Sequence, residues 1–138
     1  NWGENMLKNS ICDDSKIFLI CAEKLNSEMV DERRIPVKIY TFNNGDKLVA
    51  ANTEERLDII FLDIIMPLLN GMDAARELRQ RDKSVKIIFL TSSPEFALES
   101  YGKAQGYVLK PIAYDKLKEL LDECAQSFDR RTKEHGDQ

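Results

Sequence analysis

Five short apolar runs recur along the chain, and almost everything else follows from them. Leu7–Cys12, Ile35–Phe42, Asp58–Leu62, Val85–Leu90 and Gly106–Leu109 each have the length of a buried strand. Stretches of helical length separate them. In the first, Phe18, Cys21, Leu25 and Met29 recur at helical spacing, and in the last Leu117, Leu120, Leu121 and Cys124 do the same. Asn70-Gly71 punctuates before the strong helix former "MDAARELRQ", and Ser93-Pro94 is expected to open a fourth helix, with proline in its tolerated first turn. Strand and helix thus alternate five times. That order predicts a parallel sheet with helices on both faces, joined by right-handed crossovers. Strands covered on both faces should be continuously apolar, as "IIFL" and "VKIIFL" nearly are.

The length of 138 residues fits one domain with one core. Residues 1–5, "NWGEN", are expected to be an expression remnant, 6–128 the folded domain, and 129–138, "DRRTKEHGDQ", a charged tail or a linker cut short. A net charge of −4 argues against a nucleic-acid-binding surface on the domain itself. No apolar stretch approaches the length of a membrane span. Cys12, Cys21 and Cys124 have no metal-ligand or redox spacing, so free thiols in a reducing cytoplasm are expected. The single histidine, His135, lies in the tail, which excludes catalysis built on a core histidine.

Asp63 interrupts this order. It stands between Ile59–Leu62 and Ile64–Met66, a carboxylate with apolar residues on both sides. Burying it requires protonation, a partner or a metal. The alternation resolves the difficulty in part, because Asp63 falls at the end of the third strand. Asp13 and Asp14 end the first strand, Thr91 the fourth and Lys110 the fifth. In a parallel sheet those ends share one edge, where ligands bind. Three carboxylates in one pocket repel one another, by ~4 kcal/mol per pair at ~4 Å and an effective dielectric of ~20. Lys110 offsets part of this. Oxygen ligands without histidine or thiolate suit a hard divalent cation, with Mg²⁺ as the candidate. An acidic cluster with Mg²⁺ can neutralise a phosphoryl group in transfer, and a carboxylate can form an aspartyl phosphate, so Asp63 is the candidate nucleophile.

Each residue has a plainer reading. Asp13-Asp14-Ser15 can be a turn and helix cap, Lys110 a solvated loop lysine, and Thr91 a cap for the next helix. What outweighs these is the appearance of all five at successive strand ends.

The motifs "CDD" (12–14), "FLDIIMPLLNGMD" (61–73), "FLTSS" (89–93) and "GYVLKP" (106–111) resemble the receiver domain of two-component response regulators, over about residues 6–128. That resemblance implies a three-layer, flavodoxin-like fold of five β-α units with a parallel sheet of order 2-1-3-4-5. It implies that Asp63 accepts a phosphoryl group from a sensor histidine kinase. Asp14, Asp63 and the main-chain carbonyl of Ile65 would bind Mg²⁺, and Asp13 would act through a water. Lys110 would pair with the phosphoryl oxygens, and Thr91 and Tyr107 would form a switch. The Lys110–Pro111 bond would be cis. Phosphorylation would strengthen a homodimer through the fourth helix, fifth strand and fifth helix, where Glu95 and Glu99 meet Lys116, Lys118 and Asp122. "IYTFNNGDKLV" (39–49) and "SPEFALESYGKAQGYVLKPI" (93–112) further resemble receivers attached to LytTR-type DNA-binding domains, although Gly106 stands where that group often has an acidic residue. DNA would then be reached only through an effector domain outside these residues.

Two other classes share parts of this set. A haloacid-dehalogenase-like phosphohydrolase also uses an aspartate nucleophile, Mg²⁺, a hydroxyl residue and a lysine. It places a second aspartate two positions on as acid/base, where this chain has Ile65. A nucleotide or flavin-phosphate binder needs a Gly/Ser/Thr-rich anion loop after the first strand, where Asp13-Asp14 would repel phosphate. A phosphorylation-independent interaction module is a third alternative, which the complete acidic set argues against. A signal carrier that is not a turnover enzyme is therefore the expectation.

Overall fold

The computed structural model describes residues 7–12, 23–24, 27, 37–66, 69–100, 102–111, 113, 115–123 and 126. Five strands form, β1 Leu7–Cys12, β2 Val37–Phe42, β3 Ile59–Asp63, β4 Lys86–Thr91 and β5 Gly106–Leu109. All pairings are parallel, in the order β2-β1-β3-β4-β5. The parallel sheet is that expected from the alternation of elements, and the strand order is the one the resemblance implied.

The central strand shows why its sequence is continuously apolar. Every residue of β3 is buried, and alternate side chains serve opposite faces of the sheet. Ile59 and Phe61 pack with Leu7, Ile11, Ile88 and Leu90 under Leu117, Leu120 and Leu121 of helical residues 115–123. Ile60 and Leu62 pack with Ile87 and Phe89 beneath two other helices, Gly45–Glu54 and Gly71–Arg81. Those helices start where a side-chain oxygen captures a free backbone donor. Asn44 Oδ1 accepts from Lys47 N at 3.0 Å, and Asn70 Oδ1 accepts from Asp73 N at 2.9 Å. Among the described residues, no helix is long and apolar enough to cross a membrane.

The fourth helix expected from Ser93-Pro94 does not form. Pro94–Phe96 makes a single 3-10 turn, and 97–100 continue as turns. Local hydrogen bonds explain this. Ser93 offers no side-chain cap. Ser100 turns its hydroxyl onto the Ala97 carbonyl at 2.6 Å, Lys103 Nζ takes the Glu99 carbonyl at 2.8 Å, and Lys103 N takes the Ser100 carbonyl at 3.0 Å. Ser100 N–H is shared between the Phe96 and Ala97 carbonyls, Lys103 N–H reaches back only three residues, and Gly102, at φ 79°, turns the chain away. Strand ends also shift slightly. Residues 35 and 36 of the expected second strand lie outside the described residues, and β3 and β4 run on to include Asp63 and Thr91.

In the first expected helix only residues 23, 24 and 27 are described, and they are helical. Phe18, Cys21, Leu25, Met29, Cys124 and His135 lie outside the described residues. Cys12 is a free, buried thiol, 3.3 Å from the Asn44 carbonyl and 3.6 Å from Met66 Sδ.

Candidate functional site

The carboxyl ends of parallel strands share one edge. Asp63 is the last residue of β3, Thr91 the last of β4, and Lys110 follows β5. Asp63 is only 5% exposed, between hydrophobic neighbours on the same strand and on β4. Both of its carboxylate oxygens have donors. Ile65 N–H donates to Oδ1 at 3.2 Å, and Lys110 Nζ donates to Oδ2 at 3.2 Å. The lysine comes within reach because Lys110 N–H donates to the Thr91 carbonyl at 2.7 Å, which continues the β4–β5 pairing by one residue. Its side chain remains more accessible than that of Asp63, so the ion pair opens toward solvent on the lysine side. The Lys110–Pro111 bond is cis, as the resemblance implied.

The loop after β3 holds the carboxylate from behind. Ile64 N–H donates to the Leu90 carbonyl at 3.3 Å, and Gly71 N–H donates to the Ile64 carbonyl at 2.8 Å. The helix that begins at Gly71 thereby starts against the main chain of Asp63. A Cβ at Gly71 would lie 2.1 Å from the Asp63 carbonyl oxygen. The sequence marked Gly71 as punctuation, but its contact with Asp63 was not legible there.

Thr91 and Tyr107 meet the same residue. Thr91 is fully buried, and its Oγ1 accepts from Ser93 N–H at 3.1 Å. The half-buried Tyr107 donates its phenol hydrogen to the Ser93 carbonyl. Its ring stands edge-on to Phe89, 6.5 Å between centroids. Burial pushes the Tyr107 phenol above its ordinary pKa, and the Glu95 carboxylate adds to this. Ser93 was singled out only as a helix start. Its main chain links the two side chains, through the N–H on one side and the carbonyl on the other.

Asp63, Ile65 and Lys110 are therefore brought together, and Thr91 and Tyr107 are joined through Ser93. Asp13 and Asp14 lie outside the described residues. Among the described residues, no group of three or more histidine, cysteine or acidic side chains is placed to hold a metal. Chemically, an anionic oxygen beside an ammonium group is suited to attack an electrophile whose charge the ammonium helps to neutralise.

The sequence profile of the response regulator receiver domain matches residues 10–122. The chain belongs to this family. An uncharacterised response regulatory protein of Vibrio cholerae is 27% identical over 92% of this receiver domain chain and 48% of its own length. The sensory transduction protein LytT of Oceanobacillus iheyensis is 36% identical over 62% of the chain and 36% of its own length. Among solved structures, the response regulator TrrA from Thermotoga maritima, in complex with Mg²⁺ and BeF, is 29% identical with a TM-score of 0.71, over 86% of this chain and 98% of that one. The receiver chain spans about half or less of the length of these two curated relatives.

Proposed function

We propose that this receiver domain takes a phosphoryl group on Asp63 from a sensor histidine kinase in the cytoplasm. The observation that carries this reading is the buried Asp63 carboxylate at the strand edge with Lys110 Nζ 3.2 Å away. Asp63 supplies the attacking oxygen, and Lys110 sits where it can follow charge onto the phosphoryl oxygens.

The residues present fit Mg²⁺. The donors are oxygens only, and the Ile65 main chain is held beside the carboxylate by its N–H bond to Asp63 Oδ1. Asp14, Asp63 and the Ile65 carbonyl would hold the ion, with Asp13 acting through a water. When bound, Mg²⁺ supplies positive charge that offsets the carboxylates and the incoming phosphoryl group. TrrA, the solved relative in complex with Mg²⁺ and BeF, supports this assignment.

Ile65 stands where a phosphohydrolase of the rival class has its second aspartate, and it is 54% exposed with no acid/base function. The phosphorylated state should therefore persist, which suits a signal more than turnover. In the switch, Thr91 leaves Ser93 N–H for the phosphoryl group, and Tyr107 responds through the carbonyl of the same residue. The output surface is the 94–100 turn, β5 and helical residues 115–123. There Glu95 and Glu99 with Lys116, Lys118 and Asp122 allow a symmetric homodimer to place opposite charges together. The likeness to LytT supports a LytTR-type DNA-binding effector beyond these residues.

Incubation with Mg²⁺ and acetyl phosphate, read by intact mass, tests the central assignment. One phosphoryl adduct should form on the wild type and none on Asp63→Asn. An equal adduct on Asp63→Asn would move the acceptor elsewhere. No adduct on the wild type would favour the phosphorylation-independent interaction module.

A further inference from the structure

The sheet edge opposite Asp63 carries a feature that phosphoryl transfer does not use. A cavity of about 470 Å³ lies there, between the end of the Gly71–Arg81 helix and the segment leading into β5. Its described lining is Arg79, Lys83, Gly102, Lys103, Ala104 and Gln105. Among these residues are three cations and no carboxylate, on a chain whose net charge is −4.

A cluster of surface cations is ordinarily a solvated face, but Arg79 is not free to wave in solvent. Its Nε donates to the Lys103 carbonyl at 2.9 Å, its Nη1 to the Asp82 carbonyl at 3.3 Å, and its Nη2 to Gln105 Oε1 at 3.4 Å. All three acceptors are uncharged, so among the described residues the guanidinium is oriented without a direct carboxylate contact, although the field of the Asp82 carboxylate reaches it, and each Nη keeps a further N–H for a ligand. The nearby Asp82 carboxylate turns inward, toward Ser84, Val85 and Asn52. Among the described residues, Lys103 Nζ donates to a carbonyl, that of Glu99, and to no carboxylate. Lys83 is exposed and has no ion pair among the described residues.

The wall of the cavity is fixed as well. Gln105 N–H donates to the Ile87 carbonyl at 2.8 Å, and Gln105 Oε1 accepts from Ile87 N–H at 2.7 Å. A cradle held in place before the ligand arrives avoids the ordering cost that loose lysines would incur. Beyond it, a second cavity of about 320 Å³ shares Gly102, Ala104 and Gln105 and continues past Ser100 to Tyr107. The first cavity is within the size range of small-molecule sites. Its charge suits a pyrophosphate group better than a single phosphate, and the adjoining cavity, of mixed polar and apolar lining, leaves room for an organic portion.

We propose that the Arg79–Lys83–Lys103 cavity is a second binding site of this receiver domain, for a small molecule bearing a di- or triphosphate group. Titration of the isotope-labelled full chain with inorganic pyrophosphate, at constant ionic strength and without Mg²⁺, tests it by NMR. Saturable shifts are expected at Gly102, Lys103, Gln105 and Arg79 Nε. The double variant Lys83→Gln/Lys103→Gln should bind about tenfold more weakly, because two rim charges are gone. Lys83→Arg/Lys103→Arg should bind as the wild type does, which separates charge from folding. The proposal fails if no shift saturates, if the shifts cluster at Lys110 and Asp63, or if the glutamine variant binds equally well.

Discussion

Gly71→Ala should damage both stability and phosphorylation, although alanine is the better helix former. The added Cβ would lie 2.1 Å from the Asp63 carbonyl oxygen, 2.7 Å from Ile64 Cα and 2.8 Å from the Asp63 carbonyl carbon. All three are main-chain atoms of a buried strand end, so no flexible side chain can move aside. The closest approach is about 1 Å short of a tolerable contact. Relief requires the helix start to retreat from β3, which stretches the 2.8 Å bond from Gly71 N–H to the Ile64 carbonyl. Overpacking costs about 1–3 kcal/mol. A weakened buried hydrogen bond adds about 1 kcal/mol. The gain in helix propensity returns at most about 1 kcal/mol. A net loss of about 2 kcal/mol remains. With a urea m-value of about 2 kcal/mol/M, the midpoint should fall by about 1 M.

The same displacement moves the Asp63 carboxylate. A misplacement of about 1 Å at a reacting group can cost about a hundredfold in rate. Adduct formation from acetyl phosphate should therefore slow at least about tenfold. Gly102→Ala is the matched control. Its φ of 79° makes alanine strained, but nothing lies within 4 Å of the added Cβ. It should lose about 1 kcal/mol with labelling unchanged. A Gly71→Ala midpoint within about 0.3 M of wild type, together with normal labelling, would refute the close-contact reasoning.

Lys110→Met removes the ammonium 3.2 Å from a buried carboxylate and should destabilise by about 1–3 kcal/mol, reduced from the fully buried case because the lysine is partly exposed. Asp63→Asn in the same chain should recover most of that loss, and additive urea-midpoint shifts would show that the pair is not coupled. At Asp82, burial alone would raise the pKa, but hydrogen bonds from the Ser84 side chain and N–H, Asn52 and Val85 N–H outweigh it and hold the carboxyl below its ordinary value. Its contribution is therefore present above about pH 4 and lost as pH falls through the folded-state pKa, so Asp82→Asn should flatten the acid limb of stability measured by urea denaturation. Tyr107 should ionise above its ordinary pKa of about 10 in an absorbance titration, with stability lost as pH rises through that range. Tyr107→Phe should remove the late-ionising component, and an unchanged titration curve would assign it to another tyrosine.

The parts of this fold that were legible in the sequence are those where one force decides. A strand covered on both faces must be apolar throughout, so "IIFL" and "VKIIFL" announced β3 and β4. Parallel strands align their ends, so Asp63, Thr91 and Lys110 could be assigned to one edge from order alone. Asp13 and Asp14 were assigned by the same reasoning, but they lie outside the described residues.

What stayed hidden depends on which of several competing partners each backbone group takes. Ser93-Pro94 predicts the start of a helix, yet the chain makes only a single 3-10 turn and further turns before Gly102 turns it away. Ser93 looks like a cap because serine usually is one. Its backbone N–H is instead held by Thr91 and its carbonyl by Tyr107. Gly71 follows an asparagine cap and reads as a break, whereas its missing Cβ lets a helix start against Asp63. These features share a physical basis. Each turns on one specific hydrogen bond or close approach, some local and some distant, and neither kind leaves a periodic trace in sequence. The segment between Thr91 and Tyr107 is therefore the hardest to read. Most of its described residues are exposed, and hydrogen bonds of Thr91 and Tyr107 with the Ser93 main chain tie its start to the sheet.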